Sequence, residues 1–233
     1  MINPIVTCEH AGNIVPNDIK SFIRIPGKIL KSHWGYDKGA YEIFKHFSNL
    51  SSADLYSRVS RLVIDLNRSL QHQKLFSEYS RLLPDNNKLK LIKSFYQPYR
   101  FSVENTINNF FREGFKVIHI SVHTFTPVLN GMKRNTDAGL LYDPHREAEK
   151  GFAKQWKYFL NQKAENLIVR FNYPYKGISD GFTKYLRTRF TGEQYIGIEL
   201  EVNQKFTRKT RTLNKTIKIL SQSLEIVLNN FHF

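Results

Sequence analysis

An α/β fold is predicted, with a mostly parallel or mixed sheet covered by helices on both faces to make three layers. Three observations carry this. Short β-branched apolar runs alternate along the chain with segments whose apolar residues fall at helical spacing. The strongest run, VIHISV at positions 117–122, is the near-continuous apolar sequence of a strand buried on both faces. Polar residues suited to chemistry, His10, Asn67, Arg68, His123 and Glu201, fall at or near the ends of such runs, where open α/β sheets gather their sites.

The elements follow in order. Pro4 to Glu9 reads as a buried strand that delivers Glu9 and His10 to the break at Ala11-Gly12-Asn13. Tyr36 to Phe47 has helical spacing, with Asp37 in the first turn, where a carboxylate suits the helix dipole. Leu62 to Leu66 reads as a second strand, ending in Asp65-Leu66-Asn67-Arg68. Leu89 to Phe111 is largely helical, with a kink or break forced at Pro98. The Val117–Val122 strand ends at His123, before a Thr-Phe-Thr-Pro loop. Gly139 to Tyr142 reads as strand, Arg146 to Leu160 as helix, Leu167 to Phe171 as strand and Asn172 to Asp180 as loop. In the strand Tyr195 to Val202, Glu199 and Glu201 share one face because side chains repeat every two residues. Arg208 to Asn229 closes the chain as an amphipathic helix with Leu213, Ile217, Leu220, Leu224 and Val227 along its apolar stripe.

At 233 residues, with no repeat or linker, the chain is expected to form a single domain spanning 1–233. Its 41% hydrophobic and 14% aromatic content excludes a disordered or fibrous chain. The single cysteine, Cys8, excludes an intramolecular disulfide and a cysteine-rich zinc module, and fits a reducing, cytoplasmic location. MINPIVTCEHAGN lacks the pattern of a secretory signal, and no window approaches the ~18 apolar residues of a membrane span. The formal charge of +15 is spread along the chain without a nucleic-acid motif. Specific nucleic-acid binding is therefore not expected, and a surface that collects small anionic substrates is.

His10 and His123 point to metal-assisted hydrolysis, since a zinc-type ion takes three N or O side chains and keeps one position for water. Each follows an apolar run and precedes a break, so each imidazole is expected in a strand-end cleft. No compact His-Glu-x-x-His signature supplies the third ligand. Asp37, in the segment His33-Trp34-Gly35-Tyr36-Asp37, is the choice, with His33 and Glu9 as rivals and a dipole-stabilising carboxylate as the plainer reading. Glu201, or Glu199 beside it, suits a general base, because a carboxylate in the apolar strand IELEV is costly without a partner or a function. The plainer reading puts both on an edge strand facing water. Asn67 and Arg68 suit a grip on a substrate carboxylate, assisted by Arg61 and Arg187, and Arg68 joins Glu201 as the catalytic pair. Ser57, Ser60 and Ser179 lack a nucleophile elbow and Cys8 lies within a strand, so serine and cysteine catalysis are not expected.

Seven segments, VTCEHAGNIVP, HWGYDKGA, SRLVIDLNRS, ISVHTF, DAGLLYDP, NYPYKGISDG and GIELEVNQ, run in order from about residue 5 to about residue 205, and together they resemble the N-formylglutamate amidohydrolase family. The resemblance implies a zinc-carboxypeptidase-like α/β/α fold, one divalent zinc ion, and hydrolysis of the N-acyl bond of a small anionic amino-acid derivative. It places His10 and His123 at the family's two histidines, Glu201 at its acidic residue and Asn67-Arg68 at its carboxylate grip. The first motif departs from the histidine-degradation enzymes, with Cys-Glu-His-Ala-Gly where those have Pro-His-Ser-Gly, which leaves room for another N-acyl amino acid as substrate. Two other readings are a metal-dependent carboxypeptidase or peptidoglycan amidase, and a non-catalytic binding protein on the same scaffold.

Overall fold

Alternation within two apolar runs decides how the middle of the molecule is built. In VIHISVHTF, Ile118, Ile120 and Val122 point one way and His119, Ser121 and His123 the other. YIGIELEVN alternates likewise, with Glu199 and Glu201 on the polar side. Pairing these strands in parallel sets His123 opposite Glu201 and Ser121 opposite Glu199, so one sheet face carries a buried polar row and the other an apolar one.

The computed structural model describes residues 1–233. Its strands are β1 (Ile2–Cys8), β2 (Ala53–Tyr56), β3 (Lys116–Phe125), the hairpin β4 (Val128–Leu129) and β5 (Met132–Lys133), β6 (Ala138–Leu141), β7 (Val169–Phe171) and β8 (Tyr195–Asn203). All but the hairpin form a six-stranded sheet in the order β2-β1-β3-β8-β6-β7. Every pairing in it is parallel except β6 with β8. The helices are α1 (Gly27–Leu30), α2 (Ala40–Ser48), α3 (Asp85–Leu91), α4 (Gln97–Arg112), α5 (Glu147–Lys163), α6 (Phe182–Arg189) and α7 (Thr210–Asn230). Helices α2, α5 and α7 bury Phe44, Trp156 and Leu220 with Ile120, Ile198 and Leu200 on the apolar face. Helices α4 and α6 cover the opposite face through Val103, Ile107, Phe182 and Leu186. The three-layer expectation is met. No helix is long and apolar enough to cross a membrane.

Three local expectations need correction. Leu62–Leu66 is not a strand: Val63 N–H donates to Ser60 at 2.9 Å, Asp65 N–H donates to Leu75 at 2.9 Å, and the sheet strand in this region is β2. Leu62–Leu66 is apolar because Val63, Ile64 and Leu66 fill a second core with Val15, Ile19, Leu75 and Leu91 beneath long loops. Asp37 is not in a helical first turn. Gly39, at φ 87°, takes a left-handed conformation that delays α2 to Ala40, and Asp37 stays in the preceding loop. His123 lies within β3 rather than beyond it, because the strand continues to Phe125. The helix expected around Pro98 forms as α3, a π-helical turn at Ile92–Tyr96 and α4. The wide turn ends just before the proline, whose missing N–H then falls in the first turn of α4, where none is needed.

His119 shows what the buried polar row demands. Its ring nitrogens are taken by Thr7 Oγ1 at 2.8 Å and Tyr195 Oη at 2.7 Å, and burial pulls its pKa down to about 4. The unfolded chain takes up this proton below about pH 6.5, while the folded chain resists until about pH 4. Stability from this residue is therefore complete above about pH 6.5 and lost as the pH falls, by up to about 3 kcal/mol. Urea unfolding between pH 7 and pH 4 should show a shallower loss of stability for His119→Gln than for the wild type; equal slopes would contradict the assignment.

Candidate active site

The cluster assembles where three segments leave or cross the C-terminal edge of the sheet. His10 and Glu9 follow β1, Asp37 is held in its loop by its N–H donating to the His10 carbonyl at 3.1 Å, and His123 comes from β3. The three side chains His10, Asp37 and His123 are buried, with 4%, 4% and 3% exposure, although all are polar. Each offers one ligand atom, and these atoms lie within 4.8 Å of one another. Asp37 Oδ2 is the meeting point, 2.9 Å from His123 Nδ1 and 3.4 Å from His10 Nδ1.

The far side of each imidazole faces another carboxylate. His10 Nε2 is 2.7 Å from Asp65 Oδ1, and His123 Nε2 is 3.2 Å from Glu9 Oε2. Glu9 is held in turn by donation from Ser121 Oγ at 2.7 Å and Tyr99 Oη at 2.8 Å. A carboxylate beyond each imidazole fixes the orientation of the ring, the usual support of a metal-binding histidine. Arg61 Nη2 donates to Asp37 Oδ1, which steadies the carboxylate and leaves Oδ2 towards the imidazoles.

Charge follows this geometry. Burial and the Arg61 charge pull His10 down to about 4, so it is neutral near pH 7. Burial opposes charge on His123, but the hydrogen bond and charge of Glu9 outweigh it and raise His123 to about 9. Glu9 and Asp65 are held well below the usual carboxylate range, against their own burial, by His123 and by His10 with Arg61 respectively. Glu201 differs. Burial pushes its carboxyl up to about 7, with Glu199 adding to the rise and His123, Arg61 and Arg134 restraining it. Its Oε2 is buried without a hydrogen-bond partner. A carboxyl poised near neutrality beside His123 is suited to take and return a proton.

The remaining expected residues divide. Glu199 accepts from Thr183 Oγ1, so it is already engaged, and β8 is a central strand rather than the solvent-facing edge. Asn67 Oδ1 accepts from Phe182 N–H at 2.6 Å, which turns Asn67 Nδ2 to within 3.5 Å of His123 Nε2. Arg68 is bound through Nη1 to the Asp180 carbonyl at 2.8 Å and remains about a third exposed. Arg187 is engaged away from the cluster. Its guanidinium is spent on Glu149 at 2.9 Å and on the carbonyls of Gly177 and Gly197, both at 2.7 Å, tying α6 to α5 and β8. Of the two rivals to Asp37, Glu9 braces His123, and His33 packs on Trp34 with ring centroids 4.7 Å apart. Asp65 and Tyr99 complete the cluster without having been singled out from the sequence. Asp65 stood in plain view in Asp-Leu-Asn-Arg, but nothing in its spacing links it to His10, 55 positions away.

Gly139 sets the opposite wall. It faces Glu201 across the β6–β8 pairing, and a Cβ there would come within 1.9 Å of the Tyr173 carbonyl oxygen. The missing side chain lets the 172–180 loop cross close over the sheet edge.

The fold is a three-layer α/β/α scaffold with a buried acid–base cluster at its strand ends, and the sequence defines the class. The family model of N-formylglutamate amidohydrolase matches residues 2–207, and the chain belongs to that family of amidohydrolases. The crystal structure of a gene product from Agrobacterium tumefaciens is similar with a TM-score of 0.80 at 24% identity, covering 97% of this chain and 90% of that one. That of N-formylglutamate amidohydrolase from Ralstonia eutropha is similar with a TM-score of 0.77 at 17% identity, covering 98% and 94%. At these identities the likeness establishes a shared fold. Comparison with curated protein sequences finds no match.

If Arg187 is a structural residue, removing its charge strands Glu149 in the interior. Arg187→Met should cost about 3–5 kcal/mol in urea unfolding, as for other broken buried pairs. A variant of native stability with only a raised KM would return Arg187 to the substrate.

Proposed function

We propose that this chain hydrolyses the N-acyl amide, of the N-formyl type, of a small anionic amino-acid derivative, using one zinc-class ion held by His10 Nδ1, Asp37 Oδ2 and His123 Nδ1. The observation that carries the proposal is the double bracing of the cluster: both imidazoles meet Asp37 on one side and a buried carboxylate, Asp65 or Glu9, on the other. Two imidazole nitrogens and a carboxylate oxygen are a donor set suited to zinc in a hydrolase. Bound there, a divalent ion would supply Lewis acidity for an amide carbonyl and lower the pKa of a water.

The protein's own groups do the rest. Glu201 takes the proton from the attacking water and returns it to the departing amine, and its position near neutrality makes both transfers accessible. Asn67 Nδ2 and the free edge of Arg68 anchor the substrate carboxylate next to His123. Glu9, Asp65 and Tyr99 keep the two imidazoles from turning. Arg61 offsets the negative charge of Asp37. The +15 formal charge favours arrival of an anion.

Metal analysis after purification without added metal tests the ligand set. Wild type should carry about one zinc-class ion per chain, and His10→Ala and His123→Ala should each lose it; unchanged content in both variants would refute the assignment. Asp65→Asn should keep the fold but weaken zinc affinity by about 10- to 100-fold in competition with a chromophoric chelator. Glu201→Gln should retain the metal and lose about 100-fold or more in kcat on N-formyl amino acids. Full activity in that variant would move the base to Glu199.

A further inference from the structure

One cation beside the cluster has no carboxylate partner. Arg134 follows the β4–β5 hairpin, and its backbone is fixed by its N–H donating to Pro127 at 2.9 Å and its carbonyl accepting from Asn203 Nδ2 at 3.3 Å. Its guanidinium lies over the rings of Tyr175 and Phe125, 5.2 Å and 5.8 Å from their centroids, and Nη1 donates to Tyr175 Oη at 3.3 Å. Aromatic faces and a hydroxyl orient an arginine without neutralising it.

Its place along the polar row is what matters. Phe125 opposes Asn203 just as His123 opposes Glu201. Residues two apart on a strand share a face at a separation of about 7 Å, so Arg134 sits one step beyond Glu201 towards the open edge. One step the other way is Glu199, where Gly181 packs between Glu199 and Asn67. The Asn67-Arg68 corner and Arg134 thus flank Glu201 from opposite sides. Burial, with the charges of Arg61 and Arg134, holds the His33 imidazole below its ordinary value, and its Nε2 is buried without a partner. Of the two guanidiniums, Arg61 is bound to the Asp37 carboxylate and Arg134 to none.

We propose that Arg134, steadied by Tyr175, is a specificity-determining residue that binds a second carboxylate of the substrate, on the far side of the scissile amide from Asn67 and Arg68. The inference rests on the amide-hydrolysis reading above. The second acid can lie on the amino-acid side chain or at the end of the acyl group, since both present the same anion to the same guanidinium. A preoriented guanidinium forms bidentate, charge-assisted contacts with such a group, and a neutral substrate of equal length forfeits them.

Kinetics on N-formylglutamate, N-succinylglycine and N-formylnorvaline separate the sources, with Arg134→Gln, Arg134→Lys and Tyr175→Phe as variants. Arg134→Gln should raise KM about 10- to 100-fold for whichever dianion the wild type prefers and leave the single-carboxylate substrate within about threefold. The loss should fall on KM more than on kcat, Arg134→Lys should recover part of it, and Tyr175→Phe should show a smaller effect of the same kind. Equal losses on all three substrates, or a wild type that prefers N-formylnorvaline, would overturn the proposal. Calorimetry with glutarate and butyrate gives a readout independent of turnover. Wild type should favour glutarate, and Arg134→Gln should abolish the preference; a preference absent from wild type or intact in the variant would also overturn it. If the preference behaves as expected but no amide in the panel is cleaved, amide hydrolysis fails and the Arg134 assignment stands.

Discussion

Asp37 is a buried carboxylate placed where two imidazoles converge, and much of the surrounding structure follows from the need to compensate it. An isolated charge in the interior costs many kcal/mol. Here Arg61 takes one oxygen and the two histidines face the other. The histidines need their own orientation, which Asp65 and Glu9 supply, and Glu9 needs Ser121 and Tyr99. The chain of contacts thus runs from a loop before α2, through β1 and β3, to α4 on the far layer. A polar network of this size is favourable only when nearly every member is satisfied. The conspicuous exception in this network is Glu201, whose Oε2 is buried without a hydrogen-bond partner.

Legibility in the sequence tracked how local the determining physics was. The strands β3 and β8 were readable because burial on both faces leaves a continuous apolar run, and α7 because its stripe repeats at helical spacing. Leu62–Leu66 misled because a loop packed into a core is as apolar as a strand, and only long-range packing separates them. The start of α2 was misplaced because Gly39 takes its left-handed conformation against Thr207, far along the chain. Of the site, the residues that follow or end apolar runs could be found by position. Their partners could not: Asp65 braces His10 across 55 residues and Glu9 reaches Ser121 across 112. Arg187 shows the converse: it lies on α6 with its guanidinium held in a buried ion pair to Glu149, which its position in the sequence does not reveal.

In the proposed reading, the same polar row serves selectivity as well as chemistry. On that reading Asn67 and Arg68 grip one end of the substrate, Glu201 carries the proton in the middle and Arg134 holds the end towards the open edge, so position along β8 would become position along a bound substrate. Backbone spacing in the strand sets these intervals, which makes them less dependent on loop flexibility than sites built from loops alone. Gly139 contributes by omission, since a side chain there would displace the loop that carries Tyr175 towards Arg134.

The most direct test of the central claim is anomalous diffraction at the zinc absorption edge from crystals of the zinc-loaded protein. The account predicts one strong peak at about 2.0–2.2 Å from His10 Nδ1, Asp37 Oδ2 and His123 Nδ1, with the outer nitrogens still on Asp65 and Glu9. A peak bound through His33, or no peak within reach of Asp37, would contradict it.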